Sequence, residues 1–227
     1  MKKSRSEIET ELKISLSSED LEKVFSQFSP KSASGKVTHK YYPRAYYDTD
    51  QLDLYHAGVS LRVQYKPGKD GKMGSYEQTV KFELSGAAAL DKGVLYRKEC
   101  KDGLSGPKPD MSTVSDPDAA KTLLPFQGMS LRHIFTAAIE RRYFNVPVND
   151  SQKSVVELAF DVGDVILQPD GEYHRFYEVE IELKSGDPAA ISTMRDRILA
   201  AAPSAKVQPL SKSQQGTSLY KSRKPAF

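Results

Sequence analysis

Apolar and polar residues alternate along most of this chain with a period of two, the spacing of a half-buried β-strand. From Glu7 to Ile14, charged positions interleave with Ile8, Leu12 and Ile14. Further alternating runs span Val37 to Thr49, rich in tyrosine, then Gly58 to Lys66, Tyr76 to Leu84 and Val94 to Lys101. Three more follow at Leu131 to Val146, Ser154 to Leu167 and Tyr173 to Lys184. The Gly/Pro-bearing stretch Lys66 to Ser75 reads as a hairpin loop. Helical spacing appears in few places. Ser17-Ser18-Glu19-Asp20 has the form of a helix start, with Leu21, Val24, Phe25 and Phe28 recurring behind it. Asp187 is placed to cap a helix over Pro188 to Ala201. Asp50 to His56 predicts a short helix or turn. The connection from Asp102 to Gly128 contains four prolines and predicts a short helix near Asp118 to Leu124. The tail from Val207 to Tyr220 reads as a short extended piece followed by a Ser/Gln/Gly-rich turn.

The pattern therefore predicts a mainly β (α+β) fold of about eight strands, mostly joined by hairpins, with two or three flanking helices. A closed antiparallel barrel and a sandwich both satisfy it. With 227 residues and no internal repeat, a single domain over 1–227 is expected.

The charges change this picture. Residues two apart share a strand face, so Glu9, Glu11 and Lys13 lie together opposite Leu12 and Ile14. Thr79, Lys81 and Glu83 oppose Val80 and Phe82, and Arg97 and Glu99 oppose Val94 and Tyr96. Glu157 and Asp161 oppose Val156, Leu158 and Phe160, and Glu178, Glu180 and Glu182 oppose Val179 and Ile181. An ordinary sheet would turn such charges to water. Three glutamates at i, i+2 and i+4 repel one another unless cations lie near. Acidic strands also alternate with strands carrying Arg62, Lys81, Arg97 and Arg141. If the charged faces turn inward, acidic and basic walls oppose each other across a lumen, which is costly unless each charge is paired or liganded. A polyanion with a divalent metal would satisfy both walls, and the chemistry of a triphosphate fits. Arg and Lys donate to phosphoryl oxygens, and Mg²⁺ or Mn²⁺ takes carboxylate and phosphate oxygens.

At this point an ordered set of motifs resembles the CYTH, or triphosphate-tunnel metalloenzyme, superfamily. Glu9-Thr10-Glu11-Leu12-Lys13 has its E-x-E-x-K form. Tyr46-Tyr47-Asp48-Thr49 and Gly58-Val59-Ser60-Leu61-Arg62 resemble its second and third strands. Thr79-Val80-Lys81, Arg97-Lys98-Glu99 and Glu140-Arg141-Arg142 follow in order. Glu157 to Gly163 and Glu178 to Gly186 are similar to its acidic strands, and Ser211-Lys212-Ser213 to its closing lysine motif. The match runs from residue 7 to about residue 216. It implies an eight-stranded antiparallel closed β-barrel, a tunnel open at both ends, and metal-dependent hydrolysis of a triphosphate. Among CYTH proteins the likeness is greatest to bacterial inorganic triphosphatases, which convert inorganic triphosphate to diphosphate plus phosphate.

Carried over, Lys13, Arg62, Lys81, Arg97, Arg141 and Lys212 would bind the triphosphate. Glu9, Glu11, Asp161, Glu178 and Glu180 would hold Mg²⁺ or Mn²⁺, with Glu99, Glu157 and Glu182 as supporting acids. Lys81 and Lys212 would also help position the attacking water. The third strand departs from the R-x-R often found there, reading Arg62-Val63-Gln64. Of Arg141 and Arg142, only one can face inward, and the motif favours Arg141. The helical, histidine-rich CHAD domain of many bacterial relatives is not expected.

Composition narrows the alternatives. A net charge of +3 argues against a DNA-coating or membrane-attracted protein, so no nucleic-acid or membrane partner is expected. The lone Cys100 excludes an intrachain disulfide and reads as a buried thiol. Met1 to Thr10 lacks an apolar signal region, and the run Gly86 to Leu90 is too short to span a bilayer. The expectation is a cytoplasmic monomer or homodimer acting on a small-molecule triphosphate. The four histidines show no metal-ligand pairing. Asp48 reads as a turn-fixing carboxylate, most tyrosines as barrel packing, and Lys221 to Lys224 as a frayed basic end. A class IV adenylyl cyclase and a thiamine triphosphatase share the tunnel, and the absence of tryptophan disfavours both organic substrates. A polyphosphate-binding module without catalysis would need the basic wall alone.

Overall fold

The computed structural model describes residues 5–30, 36–68, 73–84, 92–148 and 154–223. The apolar run Gly86 to Leu90 and Lys224 lie outside them. The chain runs β1 (Arg5–Ser15), α1 (Ser18–Phe28), β2 (Thr38–Asp48), α2 (Asp53–His56), β3 (Val59–Lys66), β4 (Ser75–Glu83) and β5 (Val94–Leu104). It continues through α3 (Pro117–Leu123), β6 (Arg132–Pro147), β7 (Val155–Leu167), β8 (Tyr173–Ser185), α4 (Ala189–Ala201), β9 (Lys206–Gln208) and α5 (Lys212–Arg223). Every strand pairing is antiparallel, in the order β5-β4-β3-β2-β6-β7-β8-β1. Strand β1 closes the barrel, pairing with β8 through Glu11–Ser15 and with β5 through Arg5–Leu12. Strand β9 lies outside the eight and takes up the β1 edge at Lys13–Ser15, where β5 has ended.

The barrel is inside out relative to a common small barrel: its apolar face points outward and is covered by helices. Leu12, Ile14, Leu158, Phe160, Val179 and Ile181 are buried beneath Leu21 and Val24 of α1 and Ile191, Met194 and Ile198 of α4. On the other flank Leu61, Val80 and Cys100 are buried beneath Met111, Ala119 and Leu123. Each fully buried aliphatic side chain contributes about 1.5–3 kcal/mol, so this outer shell supports a charged interior. Burial pushes the Cys100 thiol up to about 11, the inert state expected of it. Ser17 accepts from the Asp20 amide at the start of α1, as the sequence predicts. Asp116 caps α3 ahead of Pro117, one residue before the expected start. Asp187 accepts from the Ala189 amide at 2.9 Å, but the cap position of α4 is Pro188. Asp48 accepts from the amides of Thr49, Leu54 and Tyr55, fixing the turn into α2.

One end of the interior is apolar. Tyr46 stacks on Phe135 with centroids 4.4 Å apart, and both pack with Ala137, Ile139, Val165 and Leu167. Helix α5 lies against this end, bringing in Leu219 and Tyr220. Gly216 permits the approach, since a Cβ there would stand 2.3 Å from the Phe135 ring. This corrects the expected turn over the tail, and also the expected frayed end, since Arg223 pairs with Glu172 at 2.7 Å. Helix α5 has no amphipathic stripe. It forms because the barrel end holds it.

Candidate active site

The charged strand faces turn into the lumen and line a cavity of about 360 Å³. Its broad mouth is formed at Arg5 and Glu7 of β1, Lys66 of β3, Lys40 of β2 and Lys184 of β8. Ser211, Lys212 and Ser213 line the cavity too, and a side space of about 30 Å³ lies between Ser211 and Ser213 on one side and Ser60, Lys81 and Arg97 on the other.

Inside, cations and carboxylates alternate in contact. Lys13 Nζ lies 3.0 Å from Glu11 and 2.6 Å from Glu180. Arg62 donates to Glu99 at 3.0 Å, and Lys81 reaches Glu9 at 2.5 Å and Glu99 at 2.8 Å. Arg97 pairs with Glu11. Arg141 grips Asp161 through Nε and Nη2, both at 2.6 Å, and also reaches Glu180 at 2.5 Å. Lys212, projecting from the first residue of α5, pairs with Glu178. The register explains these meetings. Lys13 faces Glu180 across β1 and β8, Arg141 faces Asp161 across β6 and β7, and Lys81 faces Glu99 across β4 and β5.

The electrostatics follow from this mixture. Burial alone would raise Glu11, but Lys13 and Arg97 beside it hold its carboxyl down to about 2. Burial likewise opposes ionisation of Glu180, and Arg141, Lys13 and Lys212 overcome it, holding the group well below the usual carboxylate range. Lys81 is lowered, because burial and the nearby Arg97 and Arg62 outweigh its carboxylate partners. Glu182 is raised by burial and by Glu9 and Glu157, with Lys184 working against them.

All the cations expected to bind phosphate are brought to this lumen. Arg141 is the inward one of its pair. Arg142 points outward, over the Phe25 ring at 3.9 Å and onto Glu22. The expected metal ligands divide. Glu9, Glu11 and Glu180 line the open cavity with Glu99, Glu157 and Glu182. Asp161 and Glu178 are fully buried behind Arg141 and Lys212. Sequence reasoning passed over Glu7, which with Glu9 and Glu99 offers three carboxylate oxygens within 4.8 Å of one another. It also passed over Lys101, paired with Glu7 and Glu99, and Arg44, which lines the cavity from the middle of β2. Arg44 is hidden in sequence by its tyrosine neighbours, of which Tyr46 packs in the barrel while Tyr41 is exposed. The carboxylates at the mouth suit a hard divalent cation, since oxygen donors without cysteine or histidine are what Mg²⁺ and Mn²⁺ prefer.

The family model described as CYTH domain matches residues 7–217. No curated protein sequence matches significantly. Among solved structures, a candidate adenylyl cyclase from Hippeastrum with a dominant triphosphatase activity superposes with a TM-score of 0.60 at 15% identity, over 96% of this chain and 97% of its own. A candidate adenylate cyclase from Bacillus halodurans gives 0.56 at 18% identity, over 92% and 97%. A Pyrococcus horikoshii protein gives 0.52 at 15% identity, over 95% and 99%. At these identities the likeness is one of fold.

Proposed function

The chain belongs to the CYTH domain family, and from that membership and its charged lumen we propose that it hydrolyses inorganic triphosphate to diphosphate and phosphate with Mg²⁺ or Mn²⁺. The observation that carries the reading is the pairing inside the barrel. Lys13, Arg62, Lys81, Arg97, Arg141 and Lys212 are all mostly buried, and each contacts a carboxylate. Buried ion pairs are an expensive way to hold a fold together. They are a good way to keep two opposite binding walls ready, because a polyphosphate can take the cations while a divalent metal takes the carboxylates.

In this reading the six cations bind phosphoryl oxygens, with Arg141 able to grip two at once. Glu9, Glu11 and Glu180 would hold the metal, with Glu99, Glu157 and Glu182 supporting. Asp161 and Glu178 would act with them chiefly by keeping Arg141 and Lys212 aimed inward. A bound divalent cation supplies charge neutralisation at the phosphoryl oxygens and activation of water. Lys81 and Lys212 would orient the attacking water in line with the terminal phosphorus. The water oxygen bonds to that phosphorus as the bridging P–O bond breaks, and diphosphate leaves with the bond's electron pair. The fixed basic wall offsets the charge that develops on it.

The choice of an inorganic substrate rests on the aromatic lining. Tyr46 is stacked on Phe135. Tyr42 carries Lys40 at 5.9 Å and Arg44 at 4.6 Å from its centroid, and Tyr143 carries Lys40 at 5.0 Å. Each of these rings already carries one of the protein's own groups, which favours a substrate without a nucleobase or thiazole to stack. Exchange Glu11→Gln tests the proposal. It should lower metal-dependent phosphate release by about 100-fold or more. Full activity in that variant would contradict the role given to the acidic wall.

A further inference from the structure

We infer that Arg44 is the open anion socket of the lumen, the cation that takes a phosphoryl group of the incoming substrate first, together with Arg62 and Arg141. The inference rests on the triphosphate reading above and adds to it a residue that no motif marks.

Arg44 differs from the other buried cations of the lumen in one respect. Each of the six cations above has a carboxylate within 4.0 Å, whereas among the described residues Arg44 has none. It is only 9% exposed, and its buried Nε has no hydrogen-bond partner. Its guanidinium lies over the Tyr42 ring, 4.6 Å from the centroid. Burial, then the charges of Arg62 and Arg141, bring its pKa down to about 10, with Tyr46 and Asp161 opposing them. A buried charge left in this state is unfavourable until an anion arrives. An anion held here would meet guanidinium groups from three successive strands of the wall, β3, β2 and β6.

The register adds a reason for its place. Arg44 on β2 lies directly opposite Gln64 on β3. Gln64 is the position where the strand departs from R-x-R, so a cation absent from β3 is present one strand over, facing the same cavity. The ligand class follows from the chemistry: a multiply charged oxyanion with free terminal oxygens, which a planar guanidinium can grip at two points. Each of the six partnered cations already shares its charge with a carboxylate, although the Nε atoms of Arg62 and Arg97 are also without a hydrogen-bond partner. Arg44 has nothing to release, so it can act before the metal does.

The test is binding of inorganic triphosphate to the full chain in excess chelator by titration calorimetry, with thermal unfolding measured in anion-free buffer. Arg44→Gln should weaken binding by about tenfold or more, and Arg44→Lys by less, since a hydrogen-bonded charge contributes on that scale. The unfolding midpoint of Arg44→Gln without anion should equal or exceed that of the wild type, because an unpaired buried charge is removed. Arg132→Gln, at an exposed residue remote from the lumen, should change neither. The inference is overturned if Arg44→Gln binds like the wild type, or if it lowers the midpoint as Arg141→Gln does, the behaviour of a residue needed only for folding. It is also overturned if the wild type does not bind triphosphate in chelator. Binding with the expected Arg44 dependence but without turnover under any metal would sink the hydrolase reading and leave this one standing.

Discussion

Arg141 and Arg142 are adjacent in sequence and on opposite faces of β6, so exchanging each for glutamine separates lumen from surface by a single position. Arg141→Gln removes three charged hydrogen bonds, two to Asp161 at 2.6 Å and one to Glu180 at 2.5 Å. Asp161 is fully buried, and the next cation, Lys212, stands 3.7 Å away and is already engaged by Glu178. Breaking one side of such a buried pair costs about 3–5 kcal/mol. At about 2–4 °C per kcal/mol for a domain of this size, the melting midpoint should fall by about 6–20 °C. Arg142→Gln removes an exposed pair with Glu22 and a contact with the Phe25 ring, together about 1 kcal/mol and about 2–4 °C. Thermal unfolding followed by circular dichroism measures both. Phosphate release from triphosphate, assayed below both midpoints, should drop by about 100-fold or more for Arg141→Gln and stay within about twofold for Arg142→Gln. Equal losses in the two variants, or a larger loss for Arg142→Gln, would refute the assignment of the inward face.

Other consequences can be checked in the same way. Glu11, held down to about 2, and Glu180, held well below its ordinary value, are depressed in the folded state. Their contribution to stability is therefore present above the unfolded carboxylate pKa of about 4.5 and lost as pH falls toward the folded values. Acid titration by circular dichroism should show the barrel intact near pH 5, with stability falling below pH 4.5 toward pH 2, and Glu11→Gln should flatten that fall. Gly216→Val should force α5 away from the Phe135 ring, costing about 1–3 kcal/mol and withdrawing Lys212 from the lumen with loss of activity. Gly106→Ala, which meets no atom within 4 Å, should leave activity unchanged. A Gly216→Val protein with full turnover would show that Lys212 is not held by that packing.

The alternation at Glu9, Glu11 and Lys13 and at Glu178, Glu180 and Glu182 carried much of the fold, because period two is a local property of strands. It also carried the inversion of the barrel, since like charges on one face of β8 need cations opposite them. What local pattern cannot carry is partner choice. Whether Glu180 meets Lys13, Arg141 or both depends on the registers of β1, β6, β7 and β8, which are set by pairing across the closed sheet. The resemblance implies Asp161 and Glu178 as metal ligands, and the structure places them buried and paired with Arg141 and Lys212. Helix α5 left little signal because its stability comes from a tertiary contact, Gly216 on Phe135, and not from an apolar stripe. Arg44 was masked by Tyr41, Tyr42, Tyr46 and Tyr47, whose shared composition suggests packing whichever face they take.

The most direct test of the account is phosphate release from inorganic triphosphate with Mg²⁺ or Mn²⁺. ATP, thiamine triphosphate and diphosphate serve as comparators, with a chelator control and a search for cyclic AMP in the ATP reaction. The account predicts rapid release from inorganic triphosphate, abolished by chelator, with slow or no reaction on the organic triphosphates. Cyclic AMP from ATP without phosphate release from triphosphate would make the chain a cyclase. Binding without turnover of any substrate under any metal would make it a polyphosphate-binding module and contradict the central claim.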